Sequence, residues 1–293
     1  MDGTGVQGLD RIEASLNYLA PTAERPFAYA YAPPPRGRPQ RSGEAEAHRV
    51  TIRNGRPLIP SLSLDREGFT LVRRATQVSD FTDEAAVRSV YYPEVERLVK
   101  EATGAVRVAI FDHTLRNAAK RERDGSAVRE AVQRVHNDYT VRSGPQRVRD
   151  LFPASEAEAL LKHRFAMINV WRPIGHTVHD MPLAVADAAS VAFEDLVPSD
   201  LIYRDRIGET YGVTYSPRHR WFYFPDMEPD EALLIKVYDS DATRARFSVH
   251  TAFADPTAPA DAAPRESIEV RTFAFFAPGA NDPVPDGPSG LAG

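Results

Sequence analysis

The chain of 293 residues is long enough for one large domain or two small ones, and its hydrophobic content of 42% and charged content of 26% are ordinary for a globular protein. A formal net charge of -5 indicates no general affinity for nucleic acid, and the absence of cysteine excludes disulfides, thiolate zinc sites and a cysteine nucleophile. The sequence shows neither a secretory signal nor an apolar run of membrane-spanning length, so we expect a cytoplasmic protein that does not contact a membrane.

The strongest helical signals lie in the first half of the chain. Residues 20–48 are rich in Pro, Gly, Arg and Glu, which predicts an extended N-terminal arm with little secondary structure. Thr82 is placed to cap a helix whose apolar positions run from Val87 to Val99, and Gly104 is expected to end it. A half-buried strand is then predicted over residues 106–111, a charged helix or loop over residues 117–133, and a short helix over residues 155–163.

The second half of the chain is rich in predicted strands. Residues 165–171 form a buried apolar run that Pro173 stops. Further strands are predicted over residues 189–193, 209–215, 220–224, 232–238, 247–251 and 267–275. Several strands at short spacing indicate a mainly β protein with a sandwich or jelly-roll core and helices packed outside it. We expect a single domain over residues 1–293.

The sharpest local feature is the tripeptide His136-Asn137-Asp138. On an extended segment residues i and i+2 face the same side, so His136 and Asp138 can offer a nitrogen and an oxygen to one metal. His250 lies among apolar residues that predict a strand, and it is the third candidate ligand. Two histidines and one carboxylate occupy one face of an octahedral iron and leave three positions for a co-substrate and O₂. The pattern therefore favours a mononuclear iron(II) site, although such ligands also suit zinc or manganese, and His250 taken alone could be a buried, hydrogen-bonded histidine.

Two arginines follow the last of these histidines. Arg265 precedes Ser267 by two residues, and Arg271 shares a strand face with Ser267. A guanidinium offers two parallel donors to a carboxylate, and the Ser267 hydroxyl can add another. Either arginine can thus hold the distal carboxylate of a co-substrate that chelates the iron, and strand alternation leaves both assignments open.

The order H-x-D, a later His and R-x-S resembles the signature of the 2-oxoglutarate/iron(II) oxygenases, which have a cupin-like double-stranded β-helix fold. The resemblance implies that His136, Asp138 and His250 bind Fe(II), that Arg265 and Ser267 bind 2-oxoglutarate, and that O₂ is the second co-substrate. A narrower resemblance is to the family containing the cephamycin 7α-hydroxylase component and fungal hydroxylase/desaturases of secondary metabolism. It is carried by residues 16–19, 91–94, 103–105, 111–116, 169–173, 220–224 and 265–271, and it implies hydroxylation or desaturation of a small molecule.

Four further residues are candidates for the site. Asn169 and Trp171 share a face of one predicted strand, and each is a candidate contact for 2-oxoglutarate or substrate, with core packing as the alternative for Trp171. Arg172, near the end of that strand, is a candidate for an acidic substrate or for a surface ion pair. His113 follows the strand over residues 106–111 and either lines the substrate pocket or holds a loop by hydrogen bonds.

Two other functions stay open on the sequence alone. A cupin-like metal-dependent isomerase or hydrolase usually gathers three or four His and Glu ligands, but this chain lacks a Glu at suitable spacing and R-x-S would have no role. The resemblance to the cephamycin system also suggests an oxygenase component that works with a partner protein. A homo-oligomer is compatible with either function.

Overall fold

The structure, a computed structural model, describes residues 10–117 and 131–279. Its strands are β1 (Arg11–Leu19), β2 (Phe27–Tyr29), β3 (Ala45–Asn54), β4 (Phe69–Arg73), β5 (Arg107–Asn117), β6 (His136–Asn137), β7 (Phe165–Pro173), β8 (Leu183–Ala186), β9 (Leu196–Ile202), β10 (Ile207–Val213), β11 (Trp221–Tyr223), β12 (Glu231–Asp239), β13 (His250–Ala252) and β14 (Glu266–Phe275). Its α-helices are α1 (Glu84–Ala86), which continues through a π-helical turn (Val87–Tyr91) into α2 (Tyr92–Thr103), then α3 (Ser143–Leu151) and α4 (Ala154–Leu160). Short 3-10 turns lie at Arg56–Ser61, Ala188–Ser190 and Phe193–Asp195.

The strands form two sheets, and these make the jelly-roll core. The larger sheet has the order β1-β3-β11-β8-β13-β6-β10-β9-β2, and the smaller has the order β4-β12-β7-β14-β5. Apolar side chains from both sheets meet in one core, where the rings of Phe69 and Phe222 lie 5.8 Å apart. The predicted mainly β, jelly-roll fold with flanking helices is therefore confirmed.

Strand β7 is buried on both faces, which explains its unbroken apolar sequence. Trp171 belongs to the core between the two sheets, whereas Ile168 and Val170 belong to a second core that includes Val95 and Leu98 of α2. A strand covered on both sides needs apolar residues at every position rather than at alternate ones. Helix α2 therefore covers one face of the smaller sheet and leaves the other face to the functional site.

Most of the predicted elements are present at slightly different bounds. The strands predicted over residues 106–111, 165–171, 209–215, 220–224, 232–238 and 267–275 correspond to β5, β7, β10, β11, β12 and β14, and the helix predicted over residues 155–163 corresponds to α4. The predicted arm at residues 20–48 contains β2 and the beginning of β3. The sequence did not predict β1, β3, β4, β8 or β9. Most of residues 117–133 lie outside the described residues.

Two predicted elements were wrong in type or extent. Residues 189–193 are not a strand, because the Asp187 carboxylate accepts the Ala189 N–H and turns the chain into a 3-10 helix. The strand predicted over residues 247–251 begins only at His250, because the Ser248 N–H bonds to the carbonyl of Lys236 in the other sheet.

The helix predicted in the first half of the chain begins at a different capping residue from the predicted one and ends at the predicted residue. The structure caps the helix with Asp83, whose side chain accepts the N–H groups of Ala85 and Ala86, rather than with the predicted Thr82. Thr82 instead donates its hydroxyl to Asp80. The predicted end at Gly104 is confirmed. Within residues 10–117 and 131–279, every helix is too short or too polar to span a bilayer.

Gly104 ends α2 in the left-handed conformation, with φ 73° and ψ 13°. A Cβ added there would meet no described atom within 4 Å, so a substitution tests the backbone conformation alone. We expect Gly104→Ala to lower the free energy of unfolding by about 1 kcal/mol, measured by urea denaturation. Gly104→Asn should cost less, because asparagine tolerates this conformation better. Equal stability of the alanine variant and the parent protein would contradict this explanation of the helix end.

Candidate metal centre

Two histidines and an aspartate converge at two neighbouring central strands of the larger sheet. His136 in β6 and His250 in β13 are directly opposite in the antiparallel pair, and their ring centroids lie 4.5 Å apart. Asp138 follows β6, and its Oδ1 lies 3.6 Å from Nε2 of His136. Ligand atoms of all three residues lie within 4.8 Å of one another. The structure thus brings together the three residues that the sequence suggested as iron ligands.

Backbone hydrogen bonds orient both imidazoles towards the same point. Nδ1 of His136 lies 2.8 Å from the carbonyl oxygen of Arg134, and Nδ1 of His250 lies 3.2 Å from that of Ser248. A carbonyl can only accept, so each Nδ1 carries a proton and Nε2 is the ring nitrogen that remains to bind a metal. Burial, followed by the charge of His250, lowers the pKa of His136 to about 4, so His136 is neutral near pH 7. A neutral imidazole is the form that binds a metal.

Asp138 is held as a carboxylate by donors from the smaller sheet. Its Oδ2 accepts a 2.7 Å hydrogen bond from Nδ2 of Asn169 and a 3.2 Å bond from Nε of Arg271. Burial alone would raise the pKa of Asp138. The opposing effects of Arg271, His136, His250 and Asn169 are larger, so the pKa lies well below its usual range. The donor set is therefore two imidazole nitrogens and one anionic carboxylate, which suits a non-haem iron(II) site with open positions.

All three kinds of nitrogen in the Arg271 guanidinium are engaged by protein groups. Nε donates to Asp138, and Nη1 lies 3.1 Å from Asp112 Oδ1 and 3.0 Å from Thr114 Oγ1. Nη2 donates to Glu269. Three carboxylates hold this arginine, and they keep its pKa well above the ordinary value despite burial. Arg271 therefore pairs with three carboxylates of the site itself, those of Asp112, Asp138 and Glu269.

Arg265 is placed differently, in a cavity next to the two histidines. Besides His136 and His250, this cavity is lined by Arg116, Val132, Trp171, Leu183, Arg265 and Glu269. The Arg265 guanidinium lies 5.6 Å from the centre of the Trp171 ring and donates to the carbonyl of Met181. The described residues form no ion pair with it, and burial, with a second contribution from Arg116, lowers its pKa to about 9. Arg265 is therefore a buried cation beside the candidate metal centre without a carboxylate partner in the described chain.

Two buried donors near Arg265 also lack hydrogen-bond partners within the described residues. They are the Ser267 hydroxyl, two residues further along the chain, and the indole Nε1 of Trp171 beneath the guanidinium. Both residues are about 1% exposed. A buried donor without an acceptor costs about 1–3 kcal/mol, so such groups in a folded protein require an explanation. A bound carboxylate would supply acceptors for all three groups, and the residues present therefore fit a dicarboxylate co-substrate next to the metal.

Asn169 and Trp171 lie on the face of β7 that is directed towards the site, as the sequence predicted. Asn169 is opposite Arg271 in the β7–β14 pair, and Trp171 is opposite Glu269. The side chain of Asn169 contacts Asp138, so it reaches a candidate iron ligand. Trp171 lines the cavity.

Two predicted substrate contacts, Arg172 and His113, instead face helix α2 and the turn before it. Arg172 is the neighbour of Trp171, so it points to the opposite face of β7, where it donates to the Tyr91 hydroxyl at 3.0 Å and to the Pro229 carbonyl at 2.7 Å. His113 lies inside β5 and pairs with the Tyr92 hydroxyl at 2.8 Å. Both residues are thus hydrogen-bonded to protein groups on this side of the smaller sheet, and their contact with a substrate stays a prediction.

Several residues of the site were not singled out in the sequence. Glu269 lies in the cavity, and Asp112 and Thr114 fix Arg271. Glu269 could have been found, because Ser267, Glu269 and Arg271 are spaced by two and share one face of β14. Arg116 stands opposite Ser267 in the β5–β14 pair and lines the same cavity. Its position depends on the pairing of two strands that are far apart in sequence, and no local pattern predicts it.

Comparisons with known proteins agree with this site. A family model described as an oxidoreductase/YMDC permease-like domain matches residues 16–275. The Fe(II)/2-oxoglutarate-dependent dioxygenase nvfI of Aspergillus novofumigatus is 32% identical over 272 residues, covering 90% of this chain and 96% of the relative. The hydroxylase/desaturase efuI of Hormonema carpetanum is 35% identical, covering 73% of this chain and 79% of that protein.

A solved structure is also similar to this chain, and it too is of an iron and 2-oxoglutarate-dependent enzyme. The iron and alpha-ketoglutarate-dependent endoperoxidase NvfI superposes with a TM-score of 0.82 and 30% sequence identity, covering 92% of this chain and 99% of that chain. The predicted resemblance to fungal hydroxylase/desaturases is confirmed by these relatives. The resemblance to the cephamycin 7α-hydroxylase component stays a prediction.

Proposed function

Because this chain belongs to the oxidoreductase family that includes Fe(II)/2-oxoglutarate-dependent dioxygenases and hydroxylase/desaturases of fungal secondary metabolism, we propose that it binds Fe(II) through His136, Asp138 and His250. The enzyme is a 2-oxoglutarate-dependent dioxygenase that oxidises a small molecule. When bound, the iron supplies oxidation of a C–H bond, coupled to conversion of 2-oxoglutarate and O₂ to succinate and CO₂. The protein's own residues bind and orient the reactants and exclude water.

The observation that carries the 2-oxoglutarate site is the buried Arg265 guanidinium beside the histidines, which forms no ion pair with the described residues. In this proposal Arg265 pairs with the C5 carboxylate. Ser267 and Trp171, whose donors have no partner among the described residues, donate hydrogen bonds to the same co-substrate. Guanidinium, hydroxyl and indole N–H are all donors, which suits an anion rather than a cation or an apolar group. Leu183 and Val132 supply apolar walls to this cavity.

A cupin-like isomerase or hydrolase accounts for less of the site. Such an enzyme needs no carboxylate co-substrate, so the positive charge of Arg265 and the unpartnered donors of Ser267 and Trp171 would serve no purpose. We therefore favour oxygenation, with hydroxylation or desaturation of a secondary metabolite as the outcome.

The proposal extends to the setting of the enzyme. We keep a single domain over residues 1–293 and a cytoplasmic location, where Fe(II) stays reduced. A homo-oligomer or a partner enzyme is compatible with the site, because all of its candidate ligands come from this one chain.

The test is binding of 2-oxoglutarate to metal-loaded protein under nitrogen. We expect isothermal titration of the Mn(II)- or Fe(II)-loaded protein to show one site for 2-oxoglutarate, and we expect glutarate to bind far more weakly. Glutarate keeps the distal carboxylate and lacks the ketone that chelates the metal, so it is the matched control ligand. Absence of heat and of any thermal shift at millimolar 2-oxoglutarate, in protein shown to hold its metal, would rule out the oxygenase assignment.

A further inference from the structure

We propose that Asn169 and Arg271 are positioning residues that hold the Asp138 carboxylate so that only its Oδ1 faces the metal. The inference rests on the iron site proposed above and adds a role for two residues that do not touch the metal. Both residues bond to the same oxygen of Asp138, at 2.7 Å from Asn169 Nδ2 and 3.2 Å from Arg271 Nε. The other oxygen, Oδ1, lies on the side of His136 Nε2.

The two donors are fixed by strand pairing rather than by the loop that carries Asp138. Asn169 and Arg271 are directly opposite each other in the β7–β14 pair of the smaller sheet. Asp138 follows β6 of the larger sheet, so these hydrogen bonds cross from one sheet to the other. A rotation of the Asp138 carboxylate would break both bonds at once, and the rigid β7–β14 pair therefore fixes the carboxylate plane.

Each donor has its own reason to keep its orientation. Asn169 is about 1% exposed, and its Oδ1 has no hydrogen-bond partner within the described chain. Reversing the Asn169 amide would place its oxygen next to the Asp138 carboxylate. Both oxygens are acceptors and would repel each other, so the amide nitrogen faces Asp138. Arg271 cannot turn away without losing Asp112, Thr114 and Glu269.

The consequence concerns the number of positions left open on the metal. A carboxylate can bind a metal with one oxygen or with both, and binding with both would use one of the three positions that the two histidines and Asp138 leave. Two hydrogen bonds on Oδ2 favour binding through Oδ1 alone. Asn169 and Arg271 thereby keep three positions available for the co-substrate and O₂.

The experiment compares Asn169→Ala with Thr272→Ala. Thr272 is a buried residue of β14 whose hydroxyl donates to the Ile168 carbonyl at 2.9 Å, so its truncation also removes one buried hydrogen bond from this pair of strands. We expect Asn169→Ala to weaken Mn(II) binding about 10- to 100-fold, the usual effect of removing a group that orients a metal ligand. The Mn(II) electron paramagnetic resonance spectrum should change in the same variant. Thr272→Ala should keep both the affinity and the spectrum, while the two apoproteins lose similar stability.

The outcomes separate this inference from the proposed function. Metal binding by the parent protein tests the proposed iron site, whereas the difference between the variants tests the role of Asn169. Unchanged Mn(II) affinity and spectrum in Asn169→Ala, or equal losses in both variants, would overturn the inference. If Asn169→Ala does not fold, Asn169→Ser is measured instead, since serine is polar but too short to reach Asp138. Arg271→Lys, which keeps the charge and loses the Nε donor, should show the same spectral change.

Discussion

The His250→Ala protein is expected to bind Fe(II) more than about 100-fold more weakly than the parent protein, because loss of a direct ligand exceeds the 10- to 100-fold effect of losing a group behind it. His250 is only about 2% exposed and projects Nε2 towards His136 and Asp138. Removing its ring leaves two ligands, and no other His, Asp or Glu of the described residues belongs to this cluster. The visible charge-transfer absorption expected for the Fe(II)–2-oxoglutarate complex under nitrogen should disappear with the metal.

His219→Ala is the matched control for this experiment. His219 is also buried, with a side chain about 1% exposed, and it bonds to Tyr18 at 3.2 Å and to Asp195 at 3.1 Å, outside the metal cluster. Its loss should lower the melting temperature and leave Fe(II) binding intact. A His250→Ala protein that folds and binds Fe(II) with parent affinity would remove this residue from the set of ligands.

The elements predicted best from the sequence were those whose burial leaves a local pattern. β7 is covered on both faces, so its residues read as an unbroken apolar run, and Gly104 ends α2 because the left-handed conformation favours glycine. β1 was missed although Ile12, Ala14, Leu16 and Tyr18 alternate with exposed residues. The wrong strand at residues 189–193 is apolar but short, and Asp187 decides its conformation by a side-chain hydrogen bond that composition does not reveal.

In the site, too, local spacing predicts the direction of some side chains and not of others. His136 and Asp138 could be paired from their spacing alone, since i and i+2 share a face of an extended chain. The direction of His113 depends on an irregularity in the β5–β14 pairing between Arg271 and Thr272, which shifts the alternation along β5. Strand alternation alone indicates that Arg172 points away from the cavity, because its neighbour Trp171 lines the cavity. Long-range pairing thus decides what local spacing cannot.

Arg265, which immediately precedes β14, and Arg271, which lies within it, illustrate how contacts separate residues that the sequence leaves equivalent. Either could have held a carboxylate of the co-substrate. Arg271 is held by Asp112, Glu269 and Asp138, so pairing it with a further carboxylate would require breaking existing bonds. Arg265 has no such partner among the described residues, and an incoming anion would relieve its buried charge. The electrostatic balance therefore favours Arg265 for the C5 carboxylate of 2-oxoglutarate.

Replacing Arg265 by alanine is accordingly expected to weaken 2-oxoglutarate binding by about 2–5 kcal/mol, because the C5 carboxylate would lie buried without its cation. This corresponds to an increase of about 30- to 5000-fold in the dissociation constant, measured on metal-saturated protein by titration under nitrogen. Metal affinity should change little, since Arg265 contacts none of the three candidate ligands directly.

Arg172→Ala provides the matched control, because Arg172 is an equally buried arginine on the adjacent strand whose donors serve Tyr91 and Pro229 on the helix-facing side. It should cost stability and leave the 2-oxoglutarate dissociation constant of the folded, metal-loaded protein unchanged. Suppose instead that Arg265→Ala binds 2-oxoglutarate normally while Arg271→Lys, saturated with metal, does not. The C5 carboxylate would then belong to Arg271, the three carboxylates around that arginine would have to yield to the co-substrate, and the cation in the cavity would need a different anion.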